Sequence, residues 1–377
     1  MTDPRLRVNS LVGFSWRAGQ LVCDDPLGHR QVALRPEAER LLRRFATWAP
    51  LSAADDVVAG GAALARQLVD AGVLIAEDSA AHQREEDLGA WRDLGSAAVR
   101  FHLATRIHAA APFRSTADER QRLLDKAADL APPPTYKDYP GVRLNLPPPD
   151  LPAVDLAEVL ARRRTVRHLD PDRPVRLGQL ATLLHWAGGA LRTASDTALG
   201  ALLLKASPSA GARHPVEIYC VVRSVGDLDP GIYHYSVRHH GLSPLAGTVP
   251  AETLVAWCGD QAYVADAGVL FLYTAVLDRV AWKYPASRAY RTILLDLGHV
   301  SQTAYLAATA LGLGAFFTGA TRDESIEDAL GLDWRAEIFL GVGGFGVPHP
   351  AEQARLERMY SGGEAAFSSS HDAWGSW

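Results

Sequence analysis

Lys283 and Tyr284 stand side by side in AWKYPASRAY, residues 281–290, just ahead of a long helical pattern. An amine next to a phenol offers two candidates for a general base, yet both are mostly protonated at neutral pH, with ordinary values near 10.4 and 10. Lowering a lysine by about three units takes roughly 4 kcal/mol of differential destabilisation of its charged form, from burial or from like charge. Arg288 and Arg291 are close in sequence and could supply that charge. Alternatively Lys283 stays charged and lowers Tyr284, which then becomes the base. A solvated helix start would use the same residues, and the ten residues alone do not separate these readings.

Three other stretches carry residue types suited to a ligand. ARRRTVRHLD places Arg162, Arg163, Arg164, Thr165 and Arg167 at the end of an expected helix. Guanidinium forks beside a hydroxyl suit a phosphate, although cations at a helix C-terminus also complement its dipole. KASPSAGARHPVEIY sets Ser209, Ala210, Gly211 and Ala212 ahead of an expected strand. Small side chains there let backbone amides approach a flat ligand face, as an ordinary loop would also permit. In LGLGAFFTGATRDE, residues 311–324, a glycine C-cap accounts for Gly312 or Gly314 but not for Gly319, whose turn presents the amides of Gly319 and Ala320. GVGGFG, residues 341–346, matches GxGxxG literally. Val347-Pro348-His349-Pro350 follows where the dinucleotide fingerprint needs a helix, so no Rossmann site is read there.

The elements that must position these residues come from a chain of 377 residues, longer than one core usually holds, so two domains are expected. Its formal charge of −5 suggests neither nucleic acid nor an anionic membrane as partner. Cys23, Cys220 and Cys258 are far apart and form no metal-ligand spacing, which fits a reducing cytoplasm. The N-terminus lacks an apolar signal region, and Asp296, His299 and Gln302 interrupt the longest apolar helix pattern, so no membrane segment is expected.

Residues 1–80 read as short strands, the helices RPEAERLLRRFATW and GAALARQLVDAG, and a closing strand VLIAE, a winged-helix-like outline. Mixed charges turn the expectation from DNA to peptide recognition by strand addition, with a packing domain that stabilises a dimer as the alternative. Residues 81–150 read as a helical segment and a linker, with eight prolines between 131 and 152. From 151 to 377 helices and strands alternate in an α/β or α+β pattern, including a long helix over 287–313.

RRRTVRHLD, SPSAGARHPVEIY, GIYHYS, WKYPASRAYRTILLDLGHVSQTAYLAATALGLG and EIFLGVGG, in this order over about 150–345, resemble the FMN-dependent nitroreductase fold. They resemble specifically its SagB-type branch of azoline dehydrogenases, and FHLATR near 101 is similar to the segment preceding the catalytic domain there. The resemblance implies an α+β fold with a mixed sheet and packed helices, a homodimer, and FMN as cofactor. It implies that Arg163, Thr165 and Arg167, with Arg164, hold the phosphate and ribityl chain. Ser209, Ala210 and Gly211 would line the isoalloxazine, and the Gly319–Ala320 turn would donate to flavin N5. Lys283-Tyr284 matches the catalytic pair of azoline oxidases. The implied reaction turns thiazoline or oxazoline rings of a ribosomal peptide precursor into thiazole or oxazole, with proton removal by that pair, hydride transfer to N5 and reoxidation by dioxygen. A leader-bearing peptide and a cyclodehydratase are the implied partners. Two competing readings are a flavin oxidoreductase of another natural-product pathway, oxidising a carrier-bound heterocycle or reducing with NAD(P)H, and a non-catalytic peptide-binding adaptor.

Overall fold

The computed structural model describes residues 3–194 and 199–361; residues 195–198 and 362–377 of the expected 151–377 domain lie outside the described residues. The chain divides into two compact units, Met1–Phe113 and Arg114–Trp377.

The first unit runs β1 (Arg5–Val8), β2 (Gly13–Arg17), β3 (Gln20–Asp25), β4 (Arg30–Leu34), α1 (Pro36–Arg44), β5 (Ala49–Pro50), α2 (Gly61–Asp70), β6 (Leu74–Ala76), α3 (Ala80–Glu86) and α4 (Trp91–Ala104). Its strands form two three-stranded sheets, β5-β1-β6 and β2-β3-β4. Leu6, Cys23, Leu34, Leu41, Phe45, Leu68 and Leu74 make its core. Pro36 at the first turn of α1 and acidic Glu37 and Glu39 beside it satisfy the helix start. Edge strand β2 pairs Phe14 with Cys23 and Trp16 with Leu21, and both aromatic rings remain exposed.

The second unit runs α5 (Thr116–Asp129), β7 (Leu144–Asn145), α6 (Leu156–Arg162), α7 (Leu177–Gly188), β8 (Arg192–Ala194), β9 (Leu202–Leu204), β10 (Val216–Val222), β11 (Gly231–Ser236), β12 (Gly241–Ala246), α8 (Ala251–Trp257), β13 (Val269–Val276), α9 (Leu277–Ala281), α10 (Ala289–Ala310), β14 (Gly314–Thr318), α11 (Asp323–Leu330), β15 (Glu337–Gly346) and α12 (Pro350–Ser361). Seven strands form one antiparallel sheet in the order β14-β15-β13-β10-β11-β12-β7. The sequence VEIYCVV explains the place of β10: every residue is buried, as expected of a central strand covered on both faces. Val216, Ile218, Cys220 and Val222 pack with α7 and α10, while Tyr219 and Val221 pack with Leu254 and Trp257 of α8 and Ile326 and Leu330 of α11. Burial of each such large side chain contributes about 1.5–3 kcal/mol. The result is an α+β fold with the sheet between two layers of helices.

The proline-rich segment belongs to this unit and packs on it. Lys137 Nζ bonds to the Glu337 carboxylate, Tyr139 and Tyr219 share a hydroxyl contact of 3.0 Å, and Leu144 pairs with Leu242 of β12. GVGGFG lies wholly within β15, where a β-carbon on Gly344 would fall 2.0 Å from the Phe316 ring, so its glycines make room for aromatic side chains. Val216 pairs with Ala275 and Ala275 with Ile338, while Thr318 pairs with Val342. The loop before β10, the turn after β13 and the turn after β14 therefore leave the sheet at one end, where the residues singled out in the sequence gather.

Candidate active site

The SAG turn is fixed from below by α10. Asp296, buried to 3% exposure, accepts from Ser209 Oγ at 2.5 Å and from the Ala210 amide at 3.3 Å. Burial pushes its carboxyl above the ordinary range, and those two donors pull it back. Ser209 Oγ accepts in turn from the His214 amide at 2.9 Å, and the Ala212 amide donates to the Ser209 carbonyl at 3.0 Å. Gly211 at φ +61°, Ala212 at +54° and His214 at +44° all sit in the left-handed region. Two non-glycine residues held there within four positions is stored strain, and such strain concentrates at functional sites.

Lys283 and Tyr284 occupy the turn between α9 and α10, and both amides donate to the Val280 carbonyl, at 3.1 and 2.9 Å. The pair thus closes α9 and does not start the next helix. Both side chains are half-buried. Their tips converge on Gly211: a β-carbon there would lie 2.5 Å from Lys283 Nζ and 2.5 Å from the Tyr284 hydroxyl. Burial lowers Lys283, and the cation that adds to this is Arg213 from the turn, where the sequence pointed to Arg288 and Arg291. Burial raises Tyr284, as do Glu119 and Asp296, against a smaller downward pull from Arg213. Arg213 is itself 6% exposed, donates from Nε to the Arg279 carbonyl at 3.1 Å, and lies 5.5 Å from the Trp282 ring.

The arginine segment leaves α6 as extended chain, so alternate residues face opposite ways. Asp155 caps that helix by accepting from the Ala157 and Glu158 amides. Arg163 lies 5.5 Å over the Tyr305 ring, Thr165 Oγ1 is 3.3 Å from the Tyr305 hydroxyl, and Arg167 lies 5.5 Å over Tyr263. Arg163 and Arg167 both pull Tyr305 downward, against the burial that raises it. Val166 between them is buried in the core. Arg164 is spent differently, donating to the Ala161 and Arg163 carbonyls at 2.7 Å each. Among the described residues no carboxylate pairs with Arg163, Arg164 or Arg167, whereas Arg162 is held by Glu158 at 2.7 Å. Tyr305 and Asp296 lie on the same helix nine residues apart, about 13.5 Å of rise.

At the third stretch, a β-carbon on Gly319 would meet nothing within 4 Å, so the turn after β14 borders open space. The Ala320 amide already donates to Thr318 Oγ1 at 3.2 Å, which leaves it engaged within its own turn.

Sequence reasoning missed Asp296, Tyr305 and Arg213 as parts of this constellation. Asp296 had a signal: it is the one acid of α10 and falls between Ile293, Leu297 and Val300 on the apolar stripe. A buried charge at such a position needs hydrogen-bond partners, and the SAG turn provides them. Tyr305 and Arg213 carried none, because their roles depend on which loops the sheet brings together.

Residues 160–344 match the nitroreductase family. MJ1384 of Methanocaldococcus jannaschii, a protein named as a nitroreductase, is 30% identical over 203 residues, 54% of this chain and 98% of its own length. The trifolitoxin-processing protein TfxB of Rhizobium leguminosarum bv. trifolii is 34% identical over 160 residues, 41% of this chain and 42% of TfxB. This chain therefore spans less than half of TfxB. A solved nitroreductase-fold protein in complex with FMN, from Exiguobacterium sibiricum, covers 53% of this chain and 90% of its own at 15% identity and a TM-score of 0.38. No helix among the described residues is long and apolar enough to cross a membrane. Matched through its sheet and the helices that carry the site, and similar to MJ1384 over nearly all of that protein, the chain belongs to the nitroreductase family of flavin oxidoreductases.

Proposed function

We propose that the protein is an FMN-dependent azoline oxidase that aromatises thiazoline or oxazoline rings in a peptide. The observation that carries this reading is the convergence of Lys283 Nζ and the Tyr284 hydroxyl on Gly211, the small residue of a strained turn. A reductase that only passes electrons on has no need of a half-buried amine at that point. Aromatising an azoline ring does require a general base there, because its α-carbon gives up a proton made acidic by the adjoining carbonyl and imine.

The residues present fit FMN. Arg163 and Thr165 sit at Tyr305 and Arg167 over Tyr263, with no carboxylate neutralising the guanidinia among the described residues, an arrangement suited to the phosphate and ribityl chain. Ser209, Ala210 and Gly211 present a face without bulky side chains, and the Gly319 turn opens on unfilled space. Arg164 and the Ala320 amide have internal partners and contribute least. Bound FMN would supply a hydride acceptor at N5.

Between the two candidates for the base, electrostatics favours Lys283. Burial and Arg213 destabilise its ammonium, so a neutral amine is more accessible than in a free lysine. Tyr284 is shifted the other way and stays protonated, able to donate a hydrogen bond to the ring or its carbonyl. Lys283 takes the α-proton and becomes an ammonium, and the pair of electrons lost from the ring departs with the hydride of the neighbouring carbon.

A peptide substrate is supported by the similarity to TfxB, a protein named for trifolitoxin processing. The first unit supports it too, because edge strand β2 offers free backbone groups beside exposed Phe14 and Trp16, a setting for strand addition by a leader segment. Exposed Leu294 and Leu295 on α10 are consistent with a homodimer. Cytoplasmic location and a cyclodehydratase partner complete the proposal. Visible absorbance of purified protein tests the cofactor. Fast bleaching of that absorbance by NADPH, with none by an azoline peptide, would favour a reductase instead.

A further inference from the structure

The turn that carries Lys283 is held by a helix outside the family core. Helix α5, residues 116–129, lies upstream of the 160–344 stretch matched to the nitroreductases. From it Arg122 Nη2 donates to the Lys283 carbonyl at 3.0 Å and Lys126 Nζ to the Trp282 carbonyl at 2.6 Å. The Trp282 indole donates back to the Leu130 carbonyl at 3.0 Å, directly after the helix, and Lys126 lies 5.3 Å over the indole ring. Three hydrogen bonds thus tie two consecutive residues, Trp282 and Lys283, to one accessory helix. Glu119, one turn before Arg122, pairs with it at 2.6 Å and acts on both Lys283 and Tyr284.

Resting on the azoline-oxidase reading, we propose that Glu119, Arg122 and Lys126 form a positioning clamp for the Lys283–Tyr284 pair. Arg122 and Lys126 set where the pair stands, and the Glu119–Arg122 ion pair sets the field it stands in. Among the described residues, charged groups that touch or act on the pair include Glu119, Arg122 and Lys126 from α5, Arg213 from the SAG turn, Arg279 from α9 acting on Arg213, Asp296 from α10, and Arg114 acting on Glu119. The carboxylate of Glu119 opposes the downward shift of Lys283, so its removal lowers Lys283 further. Mere loosening of the turn would do the reverse, because a lysine released into water returns toward about 10.4.

The chain has four lysines, 126, 137, 205 and 283, few enough to follow singly. Trace acetylation of the full-length protein with acetic anhydride across a pH series, read by mass spectrometry, gives the titration midpoint of each. In Glu119→Gln the Lys283 midpoint falls; in Arg122→Gln, which frees Glu119 and loosens the turn, it rises. A midpoint that stays put or rises in Glu119→Gln overturns the clamp. This readout needs no azoline turnover, so it stands apart from any failure of the proposed reaction. In the turnover assay Arg122→Gln lowers kcat about 10- to 100-fold, as expected of a misplaced catalytic group, with KM little changed, and Arg122→Lys restores most of the loss. An unaltered kcat in Arg122→Gln, with wild type active, counts against the clamp; an inactive wild type counts against the azoline reading alone.

Discussion

Lys283 stands against Gly211 so closely that a β-carbon on Gly211 would lie 2.5 Å from Nζ. Gly211→Ala is therefore expected to act on the amine more than on the fold. Alanine in the left-handed region costs about 1–2 kcal/mol, and the tips of Lys283 and Tyr284 are flexible ends that swing away. A small drop in Tm, measured by calorimetry, should accompany a loss of kcat of about 100-fold. Full activity with a lowered Tm would mean that the contact is only packing.

The pH profile distinguishes the two candidate bases. A neutral amine is needed for proton removal, so kcat rises with pH through the Lys283 titration, and burial with Arg213 places that limb below the ordinary lysine value of 10.5. Were Tyr284 the base, the limb would lie above 10, because its environment raises it. Removing the Arg213 charge relieves the depression, so Arg213→Met should move the limb to higher pH. Arg213 pulls both groups down, so the limb rises on this substitution whichever is the base, and it is the wild-type position that separates them: a limb above 10 would reverse the assignment.

The arginine segment should divide by the side each residue faces. Arg163→Ala and Arg167→Ala are each expected to weaken FMN binding about 10- to 100-fold, the loss of one charge-assisted hydrogen bond or more. Arg164, engaged with the Ala161 and Arg163 carbonyls, should change binding by no more than about threefold. Titration of FMN fluorescence against apoprotein reads all three, and equal losses would show that the alternation does not govern the site.

Under the sheet, Glu217 carries an acid-stability term. Burial alone would raise its carboxyl, but Arg279 at 2.5 Å and His234 at 2.9 Å outweigh it and hold the group at about 2, down from 4.5. The folded value is depressed, so this stabilisation is present above pH 4.5 and is lost as the pH falls toward 2. Urea unfolding should show stability declining across that window, and Glu217→Gln should lose part of that decline. At neutral pH the same substitution leaves Arg279 buried without its counter-charge and should cost about 3–5 kcal/mol.

What the sequence revealed follows the range of the interactions. VEIYCVV announces a central strand because burial on both faces calls for a nearly continuous apolar run, broken here only by Glu217, whereas Arg163, Thr165, Gly211 and Lys283 each also admit a purely structural reading and gain a functional one from their joint order. The rejection of a Rossmann site at GVGGFG rested on Pro348 and Pro350, and the glycines lie inside β15. The cation that lowers Lys283 could not be read, because Arg213 reaches it through the fold across 70 residues of chain, whereas nearness in sequence pointed to Arg288 and Arg291. The proline-rich run reads as linker by composition, yet Lys137, Tyr139 and Leu144 find partners on the sheet that no local pattern records.

The central claim is that Lys283 removes a proton from an azoline ring. Mass spectrometry of a thiazoline- or oxazoline-containing peptide incubated with FMN-loaded wild type, Lys283→Gln and Tyr284→Phe tests it most directly. The account expects wild type to remove two hydrogens per ring, and Lys283→Gln to retain its flavin absorbance but leave the mass unchanged. Tyr284→Phe, which keeps the amine but loses a hydrogen-bond donor, should be slowed but not abolished. Unchanged peptide mass with flavin-loaded wild type, or wild-type turnover by Lys283→Gln, would contradict it.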